Sequence, residues 1–157
     1  MKISVIMPSL LEEFPDCSLH RPQRFIRAVD SFLAQSYNNR ELIIISDGCD
    51  KTNEITKKKY KKSLLSGIIK LLELPRHTLF TGAIRQAGID IATGDIIGNL
   101  DTDDIFIQNH LYNISVSFDI KKYDWCYWNH ATRPDNLKDV YYIYDCQPEL
   151  GKICNGN

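Results

Sequence analysis

The chain has 157 residues, with 19 Lys+Arg against 20 Asp+Glu and a formal net charge of -1. Hydrophobic residues make up 43% and charged residues 25%, which is typical of a globular domain and excludes a disordered or collagen-like chain. Because the charges nearly balance, we expect no general affinity for nucleic acid or for an anionic membrane.

Location and domain organisation follow from the same composition. No segment approaches the roughly 18 apolar residues that a membrane span needs, and the apolar start at residues 3–7 is too short for a signal-peptide core. The cysteines number five, which is odd, and form no C-x-x-C pair, which favours free thiols in a reducing compartment. We therefore expect a single domain over residues 1–157, located in the cytoplasm.

Strand and helix patterns alternate along the first part of the chain. Short continuous Ile, Val and Leu runs predict buried strands, and apolar residues at three- and four-residue spacing predict helices. The predicted strands are residues 3–7, 42–45, 68–74 and 96–100, and the predicted helices are residues 23–35, 51–66, 82–92 and 108–118. Continuous rather than alternating apolar strands indicate a parallel sheet covered on both faces.

Two further strands are predicted near the C-terminus, at residues 125–128 and 140–144. The segment between them contains Arg-Pro-Asp-Asn at residues 133–136, which is a turn signature. The predicted fold class is therefore α/β, with a central, mostly parallel sheet flanked by helices and a small β-hairpin near the C-terminus.

Polar residues directly after the predicted strands are the first functional candidates, because ligands of such sheets bind beyond the carboxyl ends of the strands. These candidates are Pro8-Ser9 after the first strand, Ser46-Asp47 after the second, and residues 101–104 after the fourth.

The sharpest of these features is the cluster Asp101-Thr102-Asp103-Asp104. Its three carboxylates repel one another unless a positive charge neutralises them, and they can converge on one Mg²⁺ or Mn²⁺. Such a cation typically bridges to phosphate oxygens of a bound nucleotide. The alternative is that Asp103 or Asp104 caps the next helix while the other carboxylates are solvated.

Asp47 and Arg85 are weaker candidates. Asp47 is placed to accept a hydrogen bond from a base N–H or a ribose hydroxyl, or it is a turn former beside Gly48. Arg85, on the helix before the acidic cluster, is placed to pair with a diphosphate or to hold the carboxylates. As a lone arginine it is alternatively a surface residue.

Four stretches in order resemble glycosyltransferase family 2, whose members have the GT-A fold. Residues 3–9 are similar to the family's opening strand and turn, and residues 27–37, which end in Gln-Ser-Tyr, are similar to its first helix. Residues 41–49 are similar to its second strand, and residues 85–104 to its helix, strand and D-x-D block. The likeness extends over about residues 1 to 118.

This resemblance implies a metal-dependent inverting transferase that moves a sugar from a nucleotide-diphosphate sugar to a glycan or other hydroxyl acceptor, and a UDP-sugar is the expected donor. A metal stabilises the leaving diphosphate, and a carboxylate base deprotonates the acceptor. The resemblance implies that Pro8 and Ser9 line the base pocket, that Asp47 contacts the base, that Asp101 and Asp103 form the D-x-D pair near the donor, and that Asp103 and Asp104 hold Mn²⁺ or Mg²⁺.

The family comparison also divides the chain. Residues 1–104 form the nucleotide-sugar-binding part, and residues 105–157 form an incomplete or minimal acceptor-side part. Asp145, which follows a predicted strand, is the chosen candidate for the catalytic base. Ser46 and Cys49 stand where the family more often has Asp and Ser, so the identity of the nucleotide stays open.

Two other functions stay open at this point. Haloacid-dehalogenase-like phosphatases carry a D-x-D motif after a strand and use its first Asp as a nucleophile, although their motif follows the first strand and not the fourth. The chain is alternatively a catalytically incomplete module that binds a nucleotide sugar without completing transfer.

Overall fold

A computed structural model of the chain describes residues 1–12, 14, 17, 19–76, 80–121, 130–132 and 142–144. The chain divides into two compact units, Met1–Ser115 and Val116–Asn157. The first unit contains a four-stranded sheet with its helices, and the second contains a two-stranded sheet.

The described elements follow the predicted alternation of strand and helix. They are β1 (Ile3–Ser9), α1 (Arg21–Leu33), β2 (Arg40–Asp47), α2 (Asp50–Lys59), α3 (Lys61–Leu65), β3 (Ile69–Leu74), α4 (Thr81–Asp90), β4 (Ile96–Asn99), α5 (His110–Lys121), β5 (His130–Thr132) and β6 (Tyr142–Tyr144).

The helix predicted over residues 51–66 is two helices, separated at Tyr60. The backbone of Tyr60 leaves the helical region at φ -109° and ψ 24°. Its ring is buried, and its hydroxyl donates to Asp30 Oδ1 at 2.8 Å and lies 3.1 Å from Ile26 O, both on α1. Burial and the adjacent Asp30 carboxylate raise the pKa of the Tyr60 phenol, so it stays a hydrogen-bond donor. Anchoring this side chain to α1 accounts for the break.

The main sheet has four parallel strands in the order β3-β2-β1-β4. In the register, Ile6 of β1 lies between Ile43 of β2 and Asn99 of β4. The sheet is parallel, as predicted, and its strand ends therefore meet at one edge.

The core of the first unit lies on the faces of this sheet. The helical spacing of α1 places its apolar side chains on one buried stripe; these are Phe25, Ala28, Val29 and Phe32. A second cluster joins β1 and β2 to α4 through Ile6, Ile43, Ile45 and Ile84. Each fully buried side chain of this size contributes roughly 1.5–3 kcal/mol relative to an exposed one.

The second unit contains a small hairpin near the C-terminus, as predicted, but its first strand β5 lies in the segment predicted to connect the two strands. β5 and β6 pair antiparallel, with His130 opposite Tyr144 and Thr132 opposite Tyr142. β6 lies within the predicted strand 140–144, whereas the predicted strand 125–128 lies outside the described residues. No helix in the described ranges is both long enough and apolar enough to cross a membrane.

A buried carboxylate joins three strands at the amino edge of the sheet. The Glu41 side chain on β2 is 1% exposed and accepts hydrogen bonds from Ser4 Oγ at 2.6 Å and from Thr93 N at 2.8 Å. Its other oxygen pairs with Lys2 Nζ at 2.7 Å and with Lys70 Nζ at 3.1 Å. Burial alone would raise the pKa of Glu41, but these donors outweigh it and hold the pKa well below its ordinary range.

Replacing Glu41 with Gln is expected to lower the free energy of unfolding at pH 7 by about 3 kcal/mol, because a buried, fully paired carboxylate is lost while its donors remain. Urea denaturation measures this change. Glu73→Gln is the matched control, because Glu73 forms only a surface pair with Lys57, with exposures of 45% and 55%, and surface pairs contribute about 0–1 kcal/mol.

The Glu41 contribution also has a defined pH dependence. Its pKa is depressed in the folded chain, so the stabilisation is complete above the unfolded value of about 4.3 and is lost as pH falls below it. The stability difference between wild type and Glu41→Gln should therefore shrink between pH 5 and pH 3 in urea titrations (about the range over which an unfolded Glu titrates). A difference that is constant across this range would contradict the assignment.

Candidate active site

The carboxyl ends of β1, β2 and β4 bring the candidate residues to one edge of the sheet. β1 ends at Ser9 and β2 at Asp47, while β4 ends at Asn99, so that Asp101 follows within two residues. Ser9 is in register with Ser46 on the neighbouring strand. The edge predicted from the sequence is therefore present, and its polar residues lie on adjacent strands.

At the end of β1, Ser9 is buried and its hydroxyl lies 2.9 Å from Thr52 Oγ1 on α2. Pro8, the preceding residue, is partly exposed. This hydrogen bond attaches the end of β1 to the first turn of α2. A pocket-lining role for Pro8 and Ser9 stays a prediction.

Asp47 forms an ion pair that the sequence analysis did not include. Arg76 Nη1 lies 2.7 Å from Asp47 Oδ2, and the two side chains are 45% and 7% exposed. Arg76 follows β3 by two residues, so the rule that selected the other strand-end residues could also have selected it. A guanidinium has five N–H donors, and one ion pair leaves capacity for a ligand. The pair thus offers an acceptor and a donor side by side.

The turn after β2 is built around Gly48, whose φ is +59°. Its N–H donates to Leu74 O at 2.9 Å, which ties the turn to β3. Ser46, where the family more often has Asp, is buried and satisfied within the turn: its Oγ donates to Cys49 O at 3.1 Å and accepts from Cys49 N at 3.3 Å. Ser46 therefore supports the turn and does not add a second carboxylate beside Asp47.

The acidic cluster lies on the loop between β4 and α5. Arg85 Nη2 lies 2.6 Å from Asp101 Oδ1, and both side chains are partly exposed. Arg85 was expected either to pair with a diphosphate or to hold the carboxylates of the cluster. In the structure it contacts the Asp101 carboxylate. Asp103 and Asp104 are exposed, and α5 begins only at His110, so the alternative in which one of them caps that helix is wrong.

The donor set of this loop suits a hard cation, because it consists of carboxylate oxygens. Within the described ranges, however, no group of three or more His, Cys, Asp or Glu side chains is arranged to hold a metal ion. A cation held by Asp103 and Asp104 would therefore complete its coordination with water and with oxygens of a bound phosphate, as Mg²⁺ commonly does. The carboxylate chemistry of Asp103 and Asp104 suits such a shared site, and their role as metal ligands stays a prediction.

A second contact missed from the sequence joins α1 to the acidic loop. Arg27 Nη2 donates to the main-chain oxygen of Asp103 at 3.1 Å. Sequence spacing holds no signal for this bond, because the two residues are 76 positions apart. Asp145, the candidate base, lies outside the described residues and stays a prediction.

Most of the chain matches a known protein family. Residues 4–138 match the family described as Glycosyl transferase family 2. A search of curated protein sequences finds no match.

Solved structures of similar fold each cover more than three quarters of the chain. The S. aureus TarS 1–349 structure in complex with UDP-GlcNAc has a TM-score of 0.65 and 20% identity over 79% of this chain and 33% of that chain. The mannosyltransferase PcManGT from Pyrobaculum calidifontis, in complex with GDP-Man and Mn²⁺, has a TM-score of 0.60 and 16% identity over 78% of this chain and 33% of that chain. The chain therefore spans about a third of the length of these structures.

We expect Gly48→Ala to reduce the free energy of unfolding by about 3 kcal/mol, because it adds both left-handed backbone strain and overpacking. A Cβ at this position would lie 2.5 Å from Arg76 N and 2.7 Å from Arg76 Cα, so the main chain beside the Asp47 pair would have to move.

Gly67→Ala is the matched control for that variant. Gly67 has φ +75° but no atom within 4 Å of the added Cβ, so only backbone strain of about 1–2 kcal/mol applies. Urea denaturation of both variants separates the two effects. Equal losses in the two variants would show that Gly48 is required for its backbone angle alone.

Proposed function

The chain belongs to glycosyl transferase family 2, and we propose that it transfers a sugar from a nucleotide-diphosphate sugar to a hydroxyl acceptor. Its fold is GT-A, a parallel sheet flanked by helices, as the likeness to solved glycosyltransferases shows. The observation that carries the proposal is the presence of the Asp47–Arg76 pair and the acidic loop at the same carboxyl edge of the sheet.

The Asp47–Arg76 pair is proposed to recognise the base. The Asp47 carboxylate is 7% exposed, so a base N–H reaching it would form a hydrogen bond sheltered from water. Arg76 adds N–H donors for a base carbonyl or a phosphate oxygen. Uracil presents an N–H and carbonyl oxygens on one edge and fits this pair, as guanine does, and a UDP-sugar is the proposed donor. The solved TarS complexes with UDP and UDP-GlcNAc support the same choice.

Asp103 and Asp104 are the proposed ligands of Mn²⁺ or Mg²⁺, with Asp101 held beside them by Arg85. A bound divalent cation supplies charge stabilisation for the diphosphate as it leaves. The Mn²⁺ in the PcManGT complex supports this part of the proposal. Arg85 keeps the Asp101 carboxylate oriented and offsets part of the repulsion within the cluster.

Transfer is proposed to proceed with inversion, by one displacement in which the acceptor hydroxyl attacks the anomeric carbon. A carboxylate base takes the hydroxyl proton in that step, and Asp145 is the proposed base. The acceptor is proposed to be a glycan or another hydroxyl compound.

Free thiols at Cys17 and Cys49 agree with the proposed cytoplasmic location, where nucleotide sugars would be the donors. Family membership favours this activity over the haloacid-dehalogenase-like alternative.

A thermal-shift panel of UDP, GDP and their sugar conjugates, each with and without Mn²⁺, tests the donor assignment. We expect a uridine nucleotide with Mn²⁺ to raise the melting temperature by about 5–10 °C at a concentration of about 100 times its dissociation constant, since binding then adds about 2.7 kcal/mol. Absence of any metal-dependent shift would contradict the proposal. Metal-dependent binding without slow hydrolysis of the sugar nucleotide would favour the incomplete binding module instead.

Asp103→Ala should remove the Mn²⁺-dependent part of the thermal shift and leave the shift caused by nucleotide alone, because the Asp47–Arg76 pair is unchanged. Asp90→Ala is the matched control, since Asp90 is an exposed aspartate on α4 whose side chain accepts from Gln86 at 2.8 Å. Retained Mn²⁺ dependence in Asp103→Ala would move the metal site away from the acidic loop.

A further inference from the structure

We propose that a polar stripe along α1 and its C-terminal end, formed by Arg27, Ser31 and Gln35, positions the acidic loop (residues 101–109) so that Asp103 and Asp104 are held ready for a metal–diphosphate ligand. This inference rests on the proposed function, because it assigns a task to the stripe at that same site. It makes the three side chains positioning residues and not catalytic ones.

The stripe follows from helical geometry. Residues four apart on a helix lie on one face, so Arg27 and Ser31 share a side of α1, and Gln35 continues that side just beyond the last helical residue, Leu33. The apolar stripe of α1 faces the core, whereas this polar stripe meets the acidic loop. One face of α1 is therefore buried in the core, and another face forms hydrogen bonds with the acidic loop.

All three side chains of the stripe form hydrogen bonds with main-chain groups between Asp103 and Leu111. Arg27 Nη2 donates to Asp103 O at 3.1 Å, and Ser31 Oγ accepts from Phe106 N at 3.0 Å. Gln35 Nε2 donates to Ile107 O at 2.7 Å, and Gln35 Oε1 accepts from Leu111 N at 2.9 Å. The contacts follow the same order along helix and loop, so the loop runs beside the helix over this length.

Hydrophobic burial holds this loop only at Phe106, which is partly buried and packs against the His110 ring at 4.3 Å, among residues 101–109. Ile105 and Ile107 are 56% and 70% exposed, which leaves little apolar area to fix the backbone around Asp103 and Asp104. The loop has no regular secondary structure between Asn99 and His110, so its main-chain groups need other partners. The stripe supplies several of them, and a backbone held by hydrogen bonds orients the carboxylates that it carries.

The chemistry of Ser31 and Gln35 matches this task. Ser31 Oγ donates to Ala28 O at 2.7 Å, which leaves its lone pairs to accept from Phe106 N. Gln35 is 4% exposed, and its amide uses both ends on the segment that follows the acidic residues. A buried amide with both ends bonded has one orientation, because reversing it would place donor against donor and acceptor against acceptor.

The test uses the full chain with Ser31→Ala and Gln35→Ala as separate variants. The electron paramagnetic resonance signal of free Mn²⁺ measures the dissociation constant for Mn²⁺ with UDP and, in parallel, with GDP. We expect both variants to raise this constant by about 10-fold to 100-fold, as the loss of groups that orient metal ligands does. Affinity for the nucleotide without metal is expected to stay unchanged, a split that a merely structural role would not produce.

Two further variants keep the test decisive. Ser31→Thr retains the hydroxyl and should restore Mn²⁺ affinity. Ser66→Ala is the matched control, because it removes only an exposed local bond of 3.1 Å from Ser66 Oγ to Ser63 O at the end of α3, and it should have no effect. Should Gln35→Ala fail to fold, Gln35→Glu replaces it, because it keeps the acceptor for Leu111 and removes the donor to Ile107.

The outcomes separate this inference from the proposed function. Unchanged Mn²⁺ affinity in the Ser31 and Gln35 variants, or an equal loss of metal-free nucleotide affinity, would overturn the positioning role while the proposed function stands. Absence of Mn²⁺-dependent nucleotide binding in the wild type would overturn the proposed function itself, and the inference with it.

Discussion

The buried carboxylate of Glu41 is the constraint on which the arrangement of the sheet depends. It accepts from Ser4 on β1, from Lys70 on β3 and from Thr93 on the turn before β4, so one side chain joins the strands on both sides of β2 to the last crossover. A carboxylate removed from water is strongly unfavourable unless all of these donors are present. Because the donors come from distant parts of the chain, the ion is satisfied only when the strands have this order and register.

The two edges of the sheet differ in how their carboxylates are balanced. At the amino edge, Glu41 is almost fully buried and is surrounded by donors, which favours stability. At the carboxyl edge, Asp47 and Asp101 each face an arginine whose side chain is partly exposed. Charges that keep contact with water and retain spare donors are suited to exchange partners with a ligand. Stability and proposed donor binding are thus assigned to opposite ends of the same strands.

Helix α1 links the core to the acidic loop. Its apolar stripe is buried in the core, and Ser31 and Gln35 bond to the main chain between Phe106 and Leu111. The Gln-Ser-Tyr ending, which the sequence analysis used only as a mark of resemblance, has a physical reason: Gln35 bonds the segment after the acidic residues, and the backbone of Ser36 donates to Gln108 O at 3.0 Å. A motif on one element is therefore explained by its contacts with another.

The sequence by itself determined the elements and the edge where the polar residues meet. Apolar runs and helical spacing are local patterns, and they predicted β1 to β4, the parallel sheet and the strand-end positions of Asp47 and Asp101. Only the tertiary structure decided the pairings of Glu41, Arg76 and Arg27, and it divided one predicted helix at Tyr60. These contacts join residues between 29 and 76 positions apart, and a charged side chain in a sequence carries no periodic signal of its partner. The partner is selected by which strands lie side by side, and this is settled when the whole core is buried together.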